Sequence, residues 1–142
     1  MRLPILQFTL LVVSFSASPQ SNIAAYQTHE VPNGRAWLRA DESMKAGIVI
    51  GYEEAVMVTA HLSVETNQTA EEAKAYAGRL YPIGVTREET MKFLDAFFSQ
   101  PENRLLAIGD AIHIFALKML GRPNSEIEAD LAVFRALAAK EH

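Results

Sequence analysis

Two small groups of side chains in this sequence have types and spacings that could do chemistry. Glu53, Glu54 and His61 form the first group, and the seven-residue interval between Glu54 and His61 places them on one face of a helix. They could supply metal ligands if another helix added Asp110 or His113. The chain has no H-E-x-x-H motif and no close pair of histidines. We therefore predict no metal site and interpret Glu53 and Glu54 as the exposed strip of an otherwise buried helix.

The second group is Asp110 and His113, which lie three residues apart. A carboxylate at that spacing could hydrogen-bond the imidazole and orient it, as in half of a Ser-His-Asp system. The sequence holds no G-x-S-x-G motif, no cysteine, no phosphate-binding loop and no dinucleotide fingerprint. We interpret the pair as surface residues of a helix. The sequence thus predicts a protein that is not an enzyme, with no catalytic residue and no cofactor.

Capping chemistry predicts where the helices that carry these residues begin. A Ser or Thr followed three residues later by Glu can satisfy two unpaired amides at a helix start reciprocally. The sequence contains four such boxes, namely Thr69 with Glu72, Thr86 with Glu89, Ser99 with Glu102, and Ser125 with Glu128. Gly121 followed by Pro123 predicts a helix stop. The predicted helices span about 41–63, 70–79, 87–99, 101–120 and 126–140, with a short turn at 34–39.

Apolar periodicity predicts how these helices pack. Residues 46–60 are apolar on nearly all sides, which is typical of a buried central helix. Gly47 and Gly51 lie four residues apart within it and would let a neighbouring helix approach closely, at a cost of about 1 kcal/mol each. The later helices carry stripes at i, i+3, i+4 and i+7 that would pack round it. We therefore predict an all-α fold, a compact bundle of about five helices packed round a buried central helix.

The N-terminus has the layout of a secretory signal peptide. A short positive region precedes the largely apolar residues 3–13, and small residues follow. Ser14 and Ser16 suit the positions that signal peptidase reads, so we predict a signal peptide over residues 1–16 with cleavage after Ser16. The apolar run is shorter than the about 20 residues that span a membrane, so we predict no stable membrane anchor after processing. The predicted location is periplasmic or secreted.

Punctuation by proline predicts the organisation of the mature chain. Residues 17–33 are polar, lack a clear period and contain Pro19 and Pro32, so we predict a flexible N-terminal segment there. A helical domain over residues 34–142 follows.

Composition narrows the classes of partner. Hydrophobic residues make up 49% of the 142 residues and charged residues 21%, as in a globular domain. The net charge of −4 argues against a nucleic-acid partner, because neutralising phosphates requires a concentrated basic face. Without cysteine, the domain must gain its stability from burial alone.

Two short patterns together resemble a known family. The first pattern is Trp37 followed by a Gly51-Tyr52 step inside an apolar helix. The second is Pro82-x-Gly84-Val85-Thr86, then an amphipathic helix, then Pro101, then a helix that ends near Pro123. Their order is similar to that in the Rap/Tai-type immunity proteins, small exported helical proteins that neutralise the peptidoglycan-amidase effectors of type VI secretion. The resemblance covers roughly residues 34–124.

The resemblance carries implications for architecture and mechanism. Members of that family typically carry disulfide cysteines where this chain has Leu80-Tyr81 and Asn124, so the chain resembles a cysteine-free variant. The family likeness implies an immunity-like domain over residues 34–142. It also implies a mechanism of occlusion, in which the protein covers the active site of an effector and needs no catalytic geometry of its own.

Two hypotheses about function follow. The first is an exported, non-catalytic helical binding protein with a protein partner, either an effector that it inhibits as an immunity-like protein or a second copy of itself. The second is a periplasmic structural or envelope-stress protein with no toxin partner. The patterns that match the family are structural, so they do not predict the partner-binding surface.

Overall fold

The computed structural model describes residues 23–65 and 69–142, which form a small hairpin and six α-helices. A short 3-10 helix (Ile23–Tyr26) leads into the antiparallel hairpin of β1 (Gln27–Thr28) and β2 (Val31–Pro32). The helices are α1 (Gly34–Arg39), α2 (Glu42–Glu65), α3 (Ala70–Leu80), α4 (Arg87–Ser99), α5 (Ile108–Met119) and α6 (Asn124–Ala138). The all-α fold class predicted from the sequence is confirmed.

Some sequence predictions fall on residues that the structure does not describe. The signal peptide over residues 1–16, its cleavage after Ser16 and residues 17–22 of the predicted flexible segment lie outside the described residues. Within residues 23–65 and 69–142, no helix has the length and apolar character needed to cross a membrane.

The segment just before α1 is ordered by a buried asparagine. Asn33 is 0% exposed, and its side-chain oxygen accepts hydrogen bonds from the N–H groups of Arg35 and Ala36 at 3.0 and 3.3 Å. Its side-chain nitrogen donates to the Thr28 hydroxyl at 3.4 Å. Asn33 therefore caps α1 and ties the hairpin to it. Residues 23–33, part of the segment predicted to be flexible, therefore have defined secondary structure and hydrogen bonds.

Two of the predicted capping boxes form. The Thr86 hydroxyl accepts the N–H of Glu89 at 3.2 Å, and the Glu89 carboxylate accepts the N–H of Thr86 at 2.8 Å. Thr69 and Glu72 make the same pair of bonds at the same distances. The predicted starts of α3 and α4 are therefore confirmed.

The other two predicted boxes are wrong. Ser99 is the last residue of α4, and its hydroxyl donates to the Ala96 carbonyl oxygen at 2.7 Å instead of capping a new helix. Ser125 lies inside α6, which begins at Asn124 after Pro123 and has no side-chain cap. Pro123 is the N-cap residue, and its carbonyl oxygen accepts the N–H groups of Glu126 and Ile127.

The segment before α5 also differs from the prediction. A helix was expected over 101–120, but Pro101–Asn103 form only a 3-10 turn and α5 begins at Ile108. The carbonyl oxygens between them bond to other parts of the chain, and that of Leu106 accepts the N–H of Gly34 at 3.1 Å. A continuous helix would use those carbonyls internally. Their pairing with Gly34 and Arg35 explains why α5 begins later than predicted.

Asn103 holds this irregular segment in place. It is 1% exposed, and its side-chain nitrogen donates to the Phe97 carbonyl oxygen at 2.9 Å. Its side-chain oxygen accepts from Arg135 Nη2 of α6 at 2.7 Å. One buried side chain therefore satisfies the end of α4 and connects it to α6.

The buried central helix of the bundle is α5. It contacts α3, α4 and α6, and half of its residues are buried, namely Ile108, Ala111, Ile112, Ile114, Ala116 and Leu117. By contrast, α2 has only Val49 and Val56 buried, because α3 and α4 cover one side of it. The prediction that the helix around residues 46–60 is the buried one is wrong. Its glycines do not serve packing against the described residues either, since a Cβ on Gly47 or Gly51 would meet none of their atoms within 4 Å.

Candidate functional site

The first group of chemically capable side chains lies along α2 and near the start of α4. Glu53 accepts a hydrogen bond from Arg87 Nε at 2.9 Å. Glu54 and His61 are exposed and line a shallow groove beside that pair. Glu54 is exposed as predicted, but so is most of the helix around it. Among the described residues, no three or more His, Cys, Asp or Glu side chains are grouped so that they could hold a metal ion.

The second group lies in a cleft between the hairpin, α2, α5 and α6, which we call the Asp110 cleft. The cleft has a volume of about 770 Å³, within the range of roughly 300–1,000 Å³ found for small-molecule sites. Its polar lining side chains are His29, Tyr52, Asp110 and His113. Its walls are largely apolar and include Val31, Pro32, Ile48, Leu80, Ile108 and Phe134. None of the described residues that line it is a lysine or an arginine.

Asp110 is the third residue of α5 and is half-buried. The first turn of a helix suits a carboxylate, because the outward amides carry partial positive charge. Burial nonetheless raises the pKa of the Asp110 carboxyl above its ordinary value. A hydrogen bond from the Ala107 amide and the nearby rings of His29 and His113 act in the opposite direction but offset only part of that rise. The charged form of this carboxylate is therefore incompletely compensated.

Tyr52 of α2 packs against the start of α5 at Gly109. A Cβ on Gly109 would lie 3.0 Å from Cε2 of the tyrosine ring, so glycine is what permits this approach. Burial, and next the Asp110 carboxylate, raise the pKa of Tyr52. The phenol is therefore protonated at neutral pH, and its O–H can donate or accept a hydrogen bond in the cleft.

His113 lies one turn after Asp110 but does not form the hydrogen bond with it that their spacing allows. Its Nδ1 lies 2.6 Å from the Arg79 carbonyl oxygen, and because a carbonyl only accepts, Nδ1 carries the proton. Its Nε2 lies 3.9 Å from an Asp130 carboxylate oxygen. Both His113 and Asp110 are half-buried in the cleft, so the interpretation of the pair as surface residues is wrong.

His29 stands at the tip of the hairpin in a strained backbone conformation. His29 and Glu30 have φ angles of 53° and 63°, the left-handed region that a type I′ turn requires and that Asn-Gly usually fills. Glu141, beyond the end of α6, accepts the His29 N–H at 2.7 Å and pairs with the ring Nδ1. The C-terminal residues therefore hold this edge of the cleft in place.

The cleft offers contacts for binding. None of its described lining residues is Ser, Thr, Cys or Lys. The His113 ring already donates to a backbone carbonyl. What remains is an apolar cavity with one carboxylate and one phenol, which can orient a ligand and pair with its polar group.

A second candidate surface is the exposed side of α2. Residues at intervals of three and four form a stripe that we call the outer face of α2, consisting of Met44, Gly47, Gly51, Ala55, Val58 and Leu62. Its large side chains are well exposed, at 59% for Met44, 56% for Val58 and 53% for Leu62. Gly51 and Ala55 also border the Asp110 cleft. Contiguous apolar exposure of this kind marks interaction surfaces.

Sequence reasoning missed both surfaces for identifiable reasons. The apolar pattern of residues 46–60 is the same for a buried helix and for one that presents a face to a partner, so the outer face was assigned to the core. His29 and Tyr52 join Asp110 only through tertiary contacts, and no local spacing predicts that meeting. Gly47 and Gly51, four residues apart, were the available signal for an exposed approach surface.

Comparison with protein-family models, with curated proteins and with solved structures finds no match. The resemblance to immunity proteins therefore stays a prediction, and the functional argument rests on the residues of this chain.

Proposed function

We propose that the protein is an exported, non-catalytic binding protein that docks a partner protein on the outer face of α2. The observation that carries this proposal is the exposure of Met44, Val58 and Leu62 along one side of a 24-residue helix that has only two buried residues. Monomeric soluble proteins rarely leave large contiguous apolar surfaces without a role in binding.

The energetics favour a helix or loop of a partner lying along this face. Full burial of a Leu, Val or Met side chain is worth about 1.5–3 kcal/mol, so burying the exposed half of each would contribute about 1 kcal/mol. No atom of the described residues would lie within 4 Å of a Cβ on Gly47 or Gly51, which allows a partner backbone to approach closely. Without that role, each glycine costs about 1 kcal/mol relative to alanine in a helix interior.

Charge favours a different protein over a second copy of this chain. The charged residues at the margin of the outer face are mainly acidic, and Glu54 is exposed near the middle of α2. An antiparallel pairing of two α2 helices would bring Glu54 of each copy together, and like charges repel. We therefore expect a partner with an apolar surface bordered by basic residues.

The resemblance to immunity proteins supplies the first partner class to test. In this version of the proposal the partner is a peptidoglycan-amidase effector, and the protein inhibits it by covering its active site. Export places both proteins in the periplasm. A structural or envelope-stress role without a toxin partner is the alternative outcome of the test.

The test measures amidase inhibition by the purified chain, using an amidase effector encoded beside this gene. The disruptive variant is Val58→Asp with Leu62→Asp, because a carboxylate buried in an apolar interface is strongly disfavoured. The matched control is Val133→Asp with Leu137→Asp, which has the same spacing on exposed positions of α6. We expect stoichiometric inhibition by the unmodified chain and by the control, and a loss of affinity of at least about tenfold for the α2 variant.

Equal inhibition by the two double variants would exclude the outer face of α2 as the docking surface. If no adjacent amidase exists or none binds, the envelope-protein alternative is favoured. Sedimentation of the chain as a dimer that the α2 variant abolishes would show self-association instead. The location is tested separately by the mass of the chain recovered from the periplasm, for which we expect residues 17–142.

A further inference from the structure

We propose that the Asp110 cleft binds a small organic cation, an alkylammonium or arylalkylammonium whose charged head pairs with the Asp110 carboxylate. The cleft shares Gly51 and Ala55 with the outer face of α2, but this proposal does not depend on the docking role of that face. The proposal rests on the shape of the cleft, on the charges that line it and on the partners that its polar groups already have.

The shape suits a ligand with an apolar body. A volume of about 770 Å³ accommodates a small organic molecule. Val31, Ile48 and Ile108 come from three different elements and give the cavity apolar walls. The polar side chains, in contrast, are few, so the lining favours a molecule with one polar head.

The charge of the lining selects a cation. Asp110 is the only Asp or Glu among the described lining residues, and no Lys or Arg accompanies it. An anionic ligand would therefore meet a carboxylate with no fixed positive charge to balance it. A cation would complete the compensation that the described residues give Asp110 only in part.

The neighbouring histidines do not fill this role. His113 donates through Nδ1 to the Arg79 carbonyl oxygen, and its Nε2 lies toward Asp130. The ring of His29 pairs with Glu141. Among the described residues, the hydrogen-bond donor to Asp110 is the Ala107 amide, which leaves acceptor capacity on a group that can take several hydrogen bonds.

Aromatic rings that line the same cleft add to its preference for a cation. Tyr52 packs on Gly109, the residue next to Asp110, and Phe134 of α6 lines the same cleft. Faces of such rings attract ammonium groups, and they attract them more strongly where water is excluded. A carboxylate that shares a cleft with aromatic rings favours an amine over an alcohol or an acid.

The competing explanation is that Asp110 only caps α5. Asp110→Asn separates the two roles, because asparagine keeps an oxygen that accepts from the Ala107 amide but removes the charge. A capping role predicts no change in ligand preference in this variant. Ammonium recognition predicts that the preference disappears.

The experiment compares three probes of equal length, octylammonium, 1-octanol and octanoate, by titration of the full chain followed by NMR. We expect octylammonium to bind at least about tenfold more tightly than octanol, and octanoate to bind most weakly. In Asp110→Asn, octylammonium and octanol should bind equally. Asp130→Asn, whose carboxylate is outside the cleft lining, should behave as the unmodified chain does.

A second variant keeps the test decisive if Asp110→Asn alters the fold. Val31→Trp leaves the charge in place and fills the cavity from an exposed strand position, so all three probes should lose affinity. The proposal is overturned if octanoate binds as tightly as octylammonium, if Asp110→Asn retains the preference for the cation, or if no probe shows saturable binding. Binding that survives Val31→Trp would place the probe elsewhere and would also overturn it.

Discussion

Helices α2 and α5 are both rich in apolar residues, but they meet water very differently. Half of α5 is buried between α3, α4 and α6, whereas α2 buries Val49 and Val56 and exposes Met44, Val58 and Leu62. Their glycines differ in the same way. Gly109 of α5 lies against the Tyr52 ring, whereas a Cβ at Gly47 or Gly51 would meet no atom of the described residues within 4 Å. The contrast shows that hydrophobic content alone does not identify the central helix.

What decides between the two helices is the set of neighbours that the rest of the chain supplies. The irregular segment before α5 makes backbone hydrogen bonds to Gly34 and Arg35 of α1. Through Asn103 it also bonds to α6. Those bonds bring α5 into the middle of the bundle. No described element covers Met44 and Val58 on the outer face of α2, and both side chains stay exposed.

The largest effect that breaks this comparison is expected from truncating the core of α5. Ile112 is 0% exposed, so Ile112→Ala should lower the free energy of unfolding by about 2–5 kcal/mol through lost burial and a cavity. Leu62→Ala removes a side chain of similar size from the outer face of α2. It should change the free energy of unfolding by less than about 0.5 kcal/mol. Chemical denaturation followed by circular dichroism measures both. Equal losses would mean that α2 is covered in solution, for example by a second copy.

A smaller loss of stability is expected from changing Asn103, which holds the segment before α5 in place. Asn103→Ala removes the partners of the Phe97 carbonyl and of Arg135, and leaving such groups unsatisfied should cost about 1–3 kcal/mol. Asn103→Asp keeps an acceptor for Arg135 but loses the N–H donor, so we expect an intermediate loss. The same denaturation assay ranks the two variants. If both were neutral, the segment before α5 would not be what fixes the central helix.

The sequence predicts the parts of this fold that depend on neighbouring residues. Thr69 and Thr86 cap helices because each has its Glu three residues later and nothing else competes for those groups. Ser99 has the same spacing, but the chain beyond it is drawn into contacts with Gly34 and the hairpin, so the local signal is overridden. Distant backbone pairing of that kind leaves no periodic trace.

The candidate site follows the same division. The sequence identified Asp110 and His113 as chemically capable, because both lie on one predicted helix. It could not predict that His113 would bond to the Arg79 carbonyl, or that His29 and Tyr52 would border the same cleft. Those contacts join residues that are far apart in the chain and depend on how the elements pack.

Glycine replacement sharpens the comparison with an effect of opposite sign. The Cβ added by Gly47→Ala or Gly51→Ala would meet no atom of the described residues within 4 Å. Each substitution should therefore stabilise the chain by about 0.5–1 kcal/mol. Gly109→Ala would place its Cβ 3.0 Å from the Tyr52 ring and should give a smaller gain or a loss. Thermal unfolding measures the three variants. If the outer face docks a partner closely, the two α2 variants should also weaken its binding, and a gain in stability without that loss would exclude close backbone approach.

The smallest effects concern the pH dependence of two helix-start carboxylates. The ordinary pKa of Asp110 is 3.8 and burial raises it in the folded state, so its charged form lowers stability at neutral pH. Asp110→Asn should therefore raise the free energy of unfolding at neutral pH, and the gain should vanish as the pH falls through the folded pKa and then below 3.8. Glu89 at the start of α4 behaves in the opposite way, because the Thr86 amide lowers its pKa below 4.5.

Glu89→Gln should therefore lower stability at neutral pH, and that loss should vanish as the pH falls below the ordinary value of 4.5 and through the lowered folded pKa. Denaturation curves at a series of pH values measure both variants against the unmodified chain. The opposite signs are the decisive observation, because both residues are in the first turn of a helix and differ chiefly in burial. A destabilising Asp110→Asn at neutral pH would mean that the helix start stabilises the Asp110 charge more than burial disfavours it, and the carboxylate would then have less need of a cation.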